Sequence, residues 1–518
     1  VAGVSSFGFG GTNAHVILSE TQSVNMKKSL YEQDVQVFTL SAKSPKSLKN
    51  LVVKYQNFLN EKSDVNLKDL CYSTNCLREH FEERTAFTVT SMEQLKEKLE
   101  AYHNKNKWEN LKVGDVKKQQ SKPKIVFLYS GQGAQYKQMG ETLYRTSPVF
   151  KHSLIRCAKI LQKHKGIRLL DVLFDKKDDS QINQTEFTQP VLFAIQYSLT
   201  QLWKTFGFTP DIVLGHSIGE YAAACEAGVL SLEDALCLVA ERGQCMQMTS
   251  SNGTMAIIRA EEERVNQYLQ HFNFADVTIA AVNGTDRLVI SGEKVHVEEI
   301  VQLAQNEGIV TSYLNVSRAF HSPLMDPILE RFAHQAEQIT YQSPRIPLIS
   351  NLTGRPLQNP PSATYWVHHL REAVRFKDGV EYVLANEGPC VWIEMGPTSL
   401  ISLVQRLQKD QTHLLLASLD HKKQEDWIVI TEGLRKLYET GQEINWEVFH
   451  APYDHHLTDL PTYAFEKNLH WITESVSTVT GIEPFEDSSF NDLLKQQAAT
   501  LENQSKVLQK YIQTLKKI

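Results

Sequence analysis

The sequence predicts an α/β architecture: a parallel sheet flanked by helices, interrupted by a smaller unit of alternating strands and helices. Two observations carry this. Ile212-Val213-Leu214-Gly215-His216-Ser217-Ile218-Gly219-Glu220-Tyr221 reads as a buried strand that turns at a glycine, presents one serine and enters an apolar helix over Tyr221 to Val229. Between Thr254 and Val316 the hydrophobic period alternates instead. It gives strand Met255–Ile258, helix Glu261–His271, strands Val277–Ala281 and Leu288–Ser291 across Asn283-Gly284, helix Val295–Glu307 and strand Ile309–Val316. That order is βαββαβ, a ferredoxin-like insert in an α/β-hydrolase-like body.

Composition narrows the function classes. The 518 residues are enough for several domains, and 42% hydrophobic residues are ordinary for globular material. A net charge of −6 gives no electrostatic reason to expect nucleic acid, and Lys117-Lys118 with Lys122 and Lys124 read as a solvated loop. No apolar run approaches the ~18–20 residues of a membrane span. Seven scattered cysteines without a CxxC pair fit reduced thiols in a cytoplasmic protein better than a disulfide frame or zinc site.

Along the chain, Ser5 to Leu18 (SSFGFGGTNAHVIL) resembles the closing strands of a polyketide or fatty-acid ketosynthase, whose catalytic motifs lie upstream; His15 reads as structural. Residues 37–102 read as strand, two helices, strand and helix, a small α/β linker module. The lysine-rich stretch from Asn104 to Lys124 marks its end. Ile125–Tyr129 is a buried strand, followed by Ser130-Gly131-Gln132-Gly133-Ala134-Gln135. A glutamine between glycines can donate an amide N–H to an oxyanion; a phosphate loop is the other reading, but GxxxxGK[ST] and GxGxxG are both missing.

The serine needs partners. The glycines two residues either side of Ser217 allow a tight strand–helix turn, and the Ile218 N–H at the helix start offers a donor to a developing oxyanion. Arg242, on an apolar helix opened by Ser231-Leu232-Glu233-Asp234, either snorkels to the surface or points inward to a fixed anion, and its apolar neighbours favour the second. His321, in Arg318-Ala319-Phe320-His321-Ser322-Pro323, lies where the insert rejoins the main domain, beside the cleft a general base for Ser217 would occupy.

These segments, with TQPVLFA (188–194), ERGQCMQ (241–247), YWVHHLR (365–371), VRF (374–376) and EMGP (394–397), occur in the order found in malonyl-CoA:acyl carrier protein acyltransferases of polyketide synthases. The resemblance covers residues 122–415, with the insert at about 252–318. It implies Ser217 as nucleophile, His321 as base, Gln132 and the Ile218 N–H as oxyanion donors, and Arg242 as clamp for the extender carboxylate, with His216 and Phe320 also at the substrate. It implies that the backbone carbonyl of His369 orients the base, its side chain having no role. No metal or bound cofactor is implied. Malonyl-CoA is the substrate, and the phosphopantetheine of an acyl carrier protein receives the acyl group. A branched residue after the serine together with Ala-Phe-His goes with malonyl rather than methylmalonyl in this family. Arg318 departs from the histidine common there, and Ala464 from the usual proline.

The same resemblance divides the chain into residues 1–20 (end of a ketosynthase), 21–121 (linker), 122–415 (acyltransferase), 416–473 (a post-acyltransferase linker wrapping back onto the ketosynthase of the same polypeptide) and 474–518. His455-His456 read as solvated. In the last stretch Leu494, Leu501, Leu508 and Leu515 recur every seven residues, a coil seam weakened by Gln497 and Gln504. The helix over 490–518 is a candidate for self-association, a spacer or a docking element. A serine hydrolase or editing thioesterase, an acyltransferase for another extender unit, and a catalytically silent scaffold are the competing functions.

Overall fold

The computed structural model describes residues 1–19, 29–104, 122–175, 180–316, 318–408, 413–422, 425–467 and 495–500, with residues 502 and 506. They fall into two units, Val1–Phe465 and Glu466–Ile518. In the second, residues 495–500 are helical and Lys506 pairs with Glu502 at 3.0 Å. The heptad leucines and the polar linker of 475–489 lie outside the described residues, as do Leu469-His470-Trp471.

The first unit begins with an exposed antiparallel hairpin, β1 (Ala2–Phe7) and β2 (Asn13–Leu18). Next come β3 (Gln36–Ala42) and β4 (Glu83–Val89), paired antiparallel and separated by the helices Pro45–Glu61 and Leu67–Cys76. Both helices open on side-chain caps: Ser44 accepts from Ser47 N–H, and Asn66 from Lys68 and Asp69 N–H.

The large sheet is parallel throughout. Its strands are β5 (Lys124–Tyr129), β6 (Ile212–Gly215), β11 (Leu348–Ile349), β12 (Cys390–Pro397) and β13 (Leu414–Leu419), in the order β11-β6-β5-β12-β13. β6 and β12 are buried along their whole lengths, and β6 accordingly reads as an unbroken apolar run, whereas β12 carries the buried Glu394, whose side chain accepts from Ser399, Leu400 and Ile401 N–H. Before β11 the chain forms the insert: β7 (Gly253–Ile258), β8 (Thr278–Gly284), β9 (Arg287–Glu293) and β10 (Thr311–Tyr313), all antiparallel in the order β10-β7-β9-β8. Numbered within the insert that is 4-1-3-2, the ferredoxin-like order, and its own core includes Ile258, Val265, Ile290 and Ile300.

Boundaries moved by a residue or more in most elements of the insert, and Asn283-Gly284, expected between its two middle strands, lies within β8, the turn falling on Thr285-Asp286. The last insert strand is Thr311–Tyr313 rather than Ile309–Val316, and the helix after the serine spans Gly219–Glu226, ended by Gly228 at φ 78°. The segment after the helix Asp426–Glu439, expected to run toward the ketosynthase end, lies in its described part along the linker module. Lys43 N–H donates to Tyr463 Oη at 2.9 Å, Lys54 Nζ donates to the Tyr463 carbonyl at 3.2 Å, and Ala464 is buried in that module's core. His455 stacks on Tyr72 at 3.7 Å. Among the described residues no helix is long and apolar enough to cross a membrane.

Candidate active site

Ser217 stands at the carboxyl end of β6 and takes φ 51°, a left-handed conformation that an L-residue holds only when its surroundings fix it. The following helix starts at once: Gly219 N–H donates to the His216 carbonyl and Glu220 N–H to the Ser217 carbonyl, both at 3.0 Å. The turn is possible because Gly219 has no side chain; a Cβ there would strike the Tyr129 carbonyl oxygen at the end of β5. Strand, turn and helix thus close on one point, with the amino end of a helix dipole facing it.

His321 reaches that point from the other side of the cleft. Its Nε2 lies 2.8 Å from Ser217 Oγ, and its Nδ1 lies 2.9 Å from the carbonyl oxygen of Glu372. A carbonyl only accepts, so the proton sits on Nδ1 and Nε2 is left bare toward the serine. Burial, then the Arg242 guanidinium and His369, hold the His321 pKa well below the usual imidazole value. The carbonyl is Glu372's and not that of His369, which corrects the sequence reading. His369 lies inside the helix Ala363–Arg371, where its carbonyl runs along the axis, while Glu372 is the cap residue, with ψ 166° turning its carbonyl outward. The His369 side chain is fully buried, its Nε2 3.4 Å from Glu220 Oε2.

Arg242 points inward. It is 1% exposed, donates from Nη2 to Ser217 Oγ at 3.1 Å and from Nη1 to Gln189 Oε1 at 2.7 Å, and covers the Tyr221 ring at 5.5 Å. Its Nε has no partner among the described residues. Its neighbour Glu241 faces away, paired with Lys165 at 2.8 Å and Arg331 at 2.9 Å. Burial therefore lowers the Arg242 pKa without a carboxylate to offset it. A buried cation one hydrogen bond from a serine hydroxyl is a place for an anionic substrate group.

The remaining residues are less uniform. Gln132 donates from its amide to Thr185 Oγ1 at 3.0 Å, although its loop abuts the elbow: a Cβ on Gly131 would sit 2.9 Å from His216 Nδ1. His216 Nε2 donates to Asn283 Oδ1 at 2.8 Å, joining elbow to insert. Ile218 is fully buried and Phe320 is 7% exposed, both in the main core. Arg318 donates to the Gln247 carbonyl at 3.1 Å.

Three participants were missed. Gln189 holds the guanidinium, Glu372 supplies the carbonyl, and Asn351 accepts from Ser217 N–H at 2.7 Å. Asn351 had one signal, a polar pair directly after the apolar Leu348-Ile349; Gln189 lies within the TQPVLFA segment and Glu372 directly follows YWVHHLR, but nothing in their residue type or spacing marked either one. An apolar cavity of about 490 Å³ lies apart from the elbow, between the linker module and the strap of Pro461 to Phe465, and none of the candidate site residues lines it.

The acyl transferase domain family matches residues 126–441, and the CurL-like polyketide synthase C-terminal family matches residues 36–99. Polyketide synthase GfsA of Streptomyces halstedii is 34% identical over 92% of this chain, and mycoketide-CoA synthase of Mycobacterium tuberculosis is 34% identical over 91%. The chain spans 6% and 11% of those proteins. Among solved structures, the acyl transferase domain of ZmaA superposes with TM-score 0.75 at 28% identity, covering 84% of this chain and all of that one. The acyltransferase domain of the second salinomycin synthase module gives 0.66 at 34%, covering 83% and 99%.

Proposed function

Because the chain belongs to the acyl transferase domain family, we propose that it moves a malonyl group from malonyl-CoA, through an ester on Ser217, to the phosphopantetheine thiol of an acyl carrier protein within a modular polyketide synthase. The observation that carries the malonyl assignment is Arg242, buried, without a carboxylate partner among the described residues, and 3.1 Å from Ser217 Oγ. A malonyl carboxylate matches a guanidinium in shape and charge, whereas an acetyl or fatty acyl group leaves the cation unpaired.

In this reading His321 Nε2 takes the Ser217 proton as Oγ attacks the thioester carbonyl. The oxyanion faces the Ile218 N–H and the amide of Gln132, which has a second N–H beyond the one given to Thr185. Collapse expels the CoA thiolate, which receives the proton from His321. The pantetheine thiol then repeats the sequence in reverse order, its proton passing to His321 and the ester oxygen recovering one. A neutral imidazole fixed by a backbone carbonyl suffices for both halves, so no buried acid is required. The ketosynthase end at residues 1–20, the linker module at 21–121 and the strap in 416–473 are the parts that hold this domain in the larger synthase.

Intact mass after brief incubation with malonyl-CoA tests the proposal. The chain should gain one malonyl group, Ser217→Ala should gain none, and His321→Ala should gain it slower by on the order of 10²-fold or more. Undiminished labelling of Ser217→Ala overturns the nucleophile assignment. Release of free malonate at the rate of loading, with none passed to a carrier thiol, favours the hydrolase instead.

A further inference from the structure

We infer that Asn351, held in place by the buried carboxylate of Glu220, is the positioning residue that keeps the nucleophile turn in its strained form; the inference rests on the reading of Ser217 as nucleophile. The amide of Asn351 spans the turn. Its Oδ1 accepts from Ser217 N–H at 2.7 Å and its Nδ2 donates to the Gly215 carbonyl at 2.8 Å. One planar group thus grips the turn on either side of His216, and Ser217 between strand and helix keeps φ 51°.

The grip is itself anchored. Asn351 N–H donates to Glu220 Oε2 at 2.7 Å, and its carbonyl accepts from Arg375 N–H at 2.7 Å. Glu220 is fully buried, and its other oxygen accepts from the Tyr365 hydroxyl, which lies 2.8 Å from Ser350 Oγ. Glu220 also sits in the first turn of the helix that follows the serine, so the carboxylate ties that helix to the end of β11. Turn, helix and neighbouring strand are locked through two side chains that touch neither the acyl group nor the base.

Two consequences follow for the chemistry. With its own N–H already given to Asn351, Ser217 cannot serve the oxyanion, which leaves that task to Ile218 N–H and Gln132. And a turn released from the amide relaxes toward ordinary φ, carrying Oγ away from Nε2, where a displacement of about 1 Å costs on the order of 10² in rate.

The test uses a fluorophosphonate, which needs an activated serine but no malonyl recognition, and follows labelling of Ser217 by intact mass over time. In the unmodified chain Ser217 should label to completion. Asn351→Ala and Asn351→Asp should also approach full labelling, but with rate constants lower by on the order of 10²-fold, and with malonyl-CoA the loss should fall on kcat while KM stays within about threefold. A merely structural role would lower the labelled fraction and leave the rate constant alone. Should either variant fail to fold, Tyr365→Phe removes the hydroxyl that meets both Glu220 and Ser350 and should slow labelling by several-fold. An unchanged rate constant in the folded variants overturns the role of Asn351 while leaving Ser217 as nucleophile; no labelling of Ser217 in the unmodified chain removes the premise as well.

Discussion

Arg242 exemplifies what one residue contributes: a cation taken out of water, held by a neutral amide and an aromatic face, and left among the described residues with no carboxylate partner. Such a site discriminates by what it lacks. Arg242→Ala removes both the clamp and the penalty for leaving the cation bare, so the ratio of acetyl to malonyl loading should rise at least about tenfold. Competition between the two thioesters, read by acyl-enzyme mass, checks it, and an unchanged ratio counts against the clamp. His321 gives a second test through pH. Its folded pKa is pushed well below the ordinary 6.5, so the free enzyme already carries a neutral base at and below that pH. The rate of acyl-enzyme formation under kcat/KM conditions should stay flat from pH 8 down through 6.5 and decline only beneath it; a half-maximal point at or above 6.5 contradicts the assigned environment. Phe320 bears on the extender unit. A pocket rejects the extra methyl of methylmalonyl only by volume, worth roughly 1–3 kcal/mol. The unmodified chain should prefer malonyl by at least about tenfold and Phe320→Ser should erode that preference, whereas equal loading of the two by the unmodified chain would sink the assignment.

Among the elements, the decisive contact is the crossing of the β5 end with the helix Gly219–Glu226. Because a Cβ on Gly219 meets a backbone carbonyl rather than a flexible side chain, Gly219→Ala should destabilise by about 3 kcal/mol or more and slow acylation; denaturant unfolding within about 1 kcal/mol of the parent would show that the turn has room. This crossing was legible in the sequence because it is local: strand, glycine, serine, glycine and helix follow each other over ten residues. The insert was legible for the same reason, since a change of hydrophobic period needs no knowledge of neighbours. What escaped is set by elements distant in the chain. The Glu372 carbonyl reaches His321 because its loop is pinned to the insert, with Val282 N–H donating to Val374 O and Val374 N–H to Ala280 O, both at 2.9 Å. Asn351 matters only because β11 lies beside β6. Neither pairing leaves a periodic trace, and the family resemblance put the carbonyl on the wrong residue of the right segment.

Over the Val1–Phe465 unit as a whole, the linker module and the segment after the acyltransferase sheet are bound through a buried polar contact that water cannot replace. Asn75 accepts from Thr39 Oγ1 at 2.7 Å and donates from Nδ2 to the Val37 carbonyl at 2.9 Å, and the same nitrogen lies 3.0 Å from His450 Nε2. The carbonyl fixes which end of the amide is the donor, so His450 Nε2 must accept and the ring must be neutral. Burial and the neighbouring His455 lower its pKa to about 3. In the unfolded chain the ring takes a proton near 6.5, so the fold binds fewer protons than the unfolded state between about 3 and 6.5, and stability falls as pH drops through that window. At 1.36 kcal/mol per unit, His450 alone removes about 2 kcal/mol between pH 6.5 and 5. Protonation would also set one N–H against another at Asn75. His450→Gln, which can still accept from Asn75 but does not titrate, should therefore flatten the pH dependence of urea unfolding by about one proton's worth over that range. Parallel slopes for the parent and the variant would mean that His450 is solvated, and that the strap is not held to the linker module through this contact.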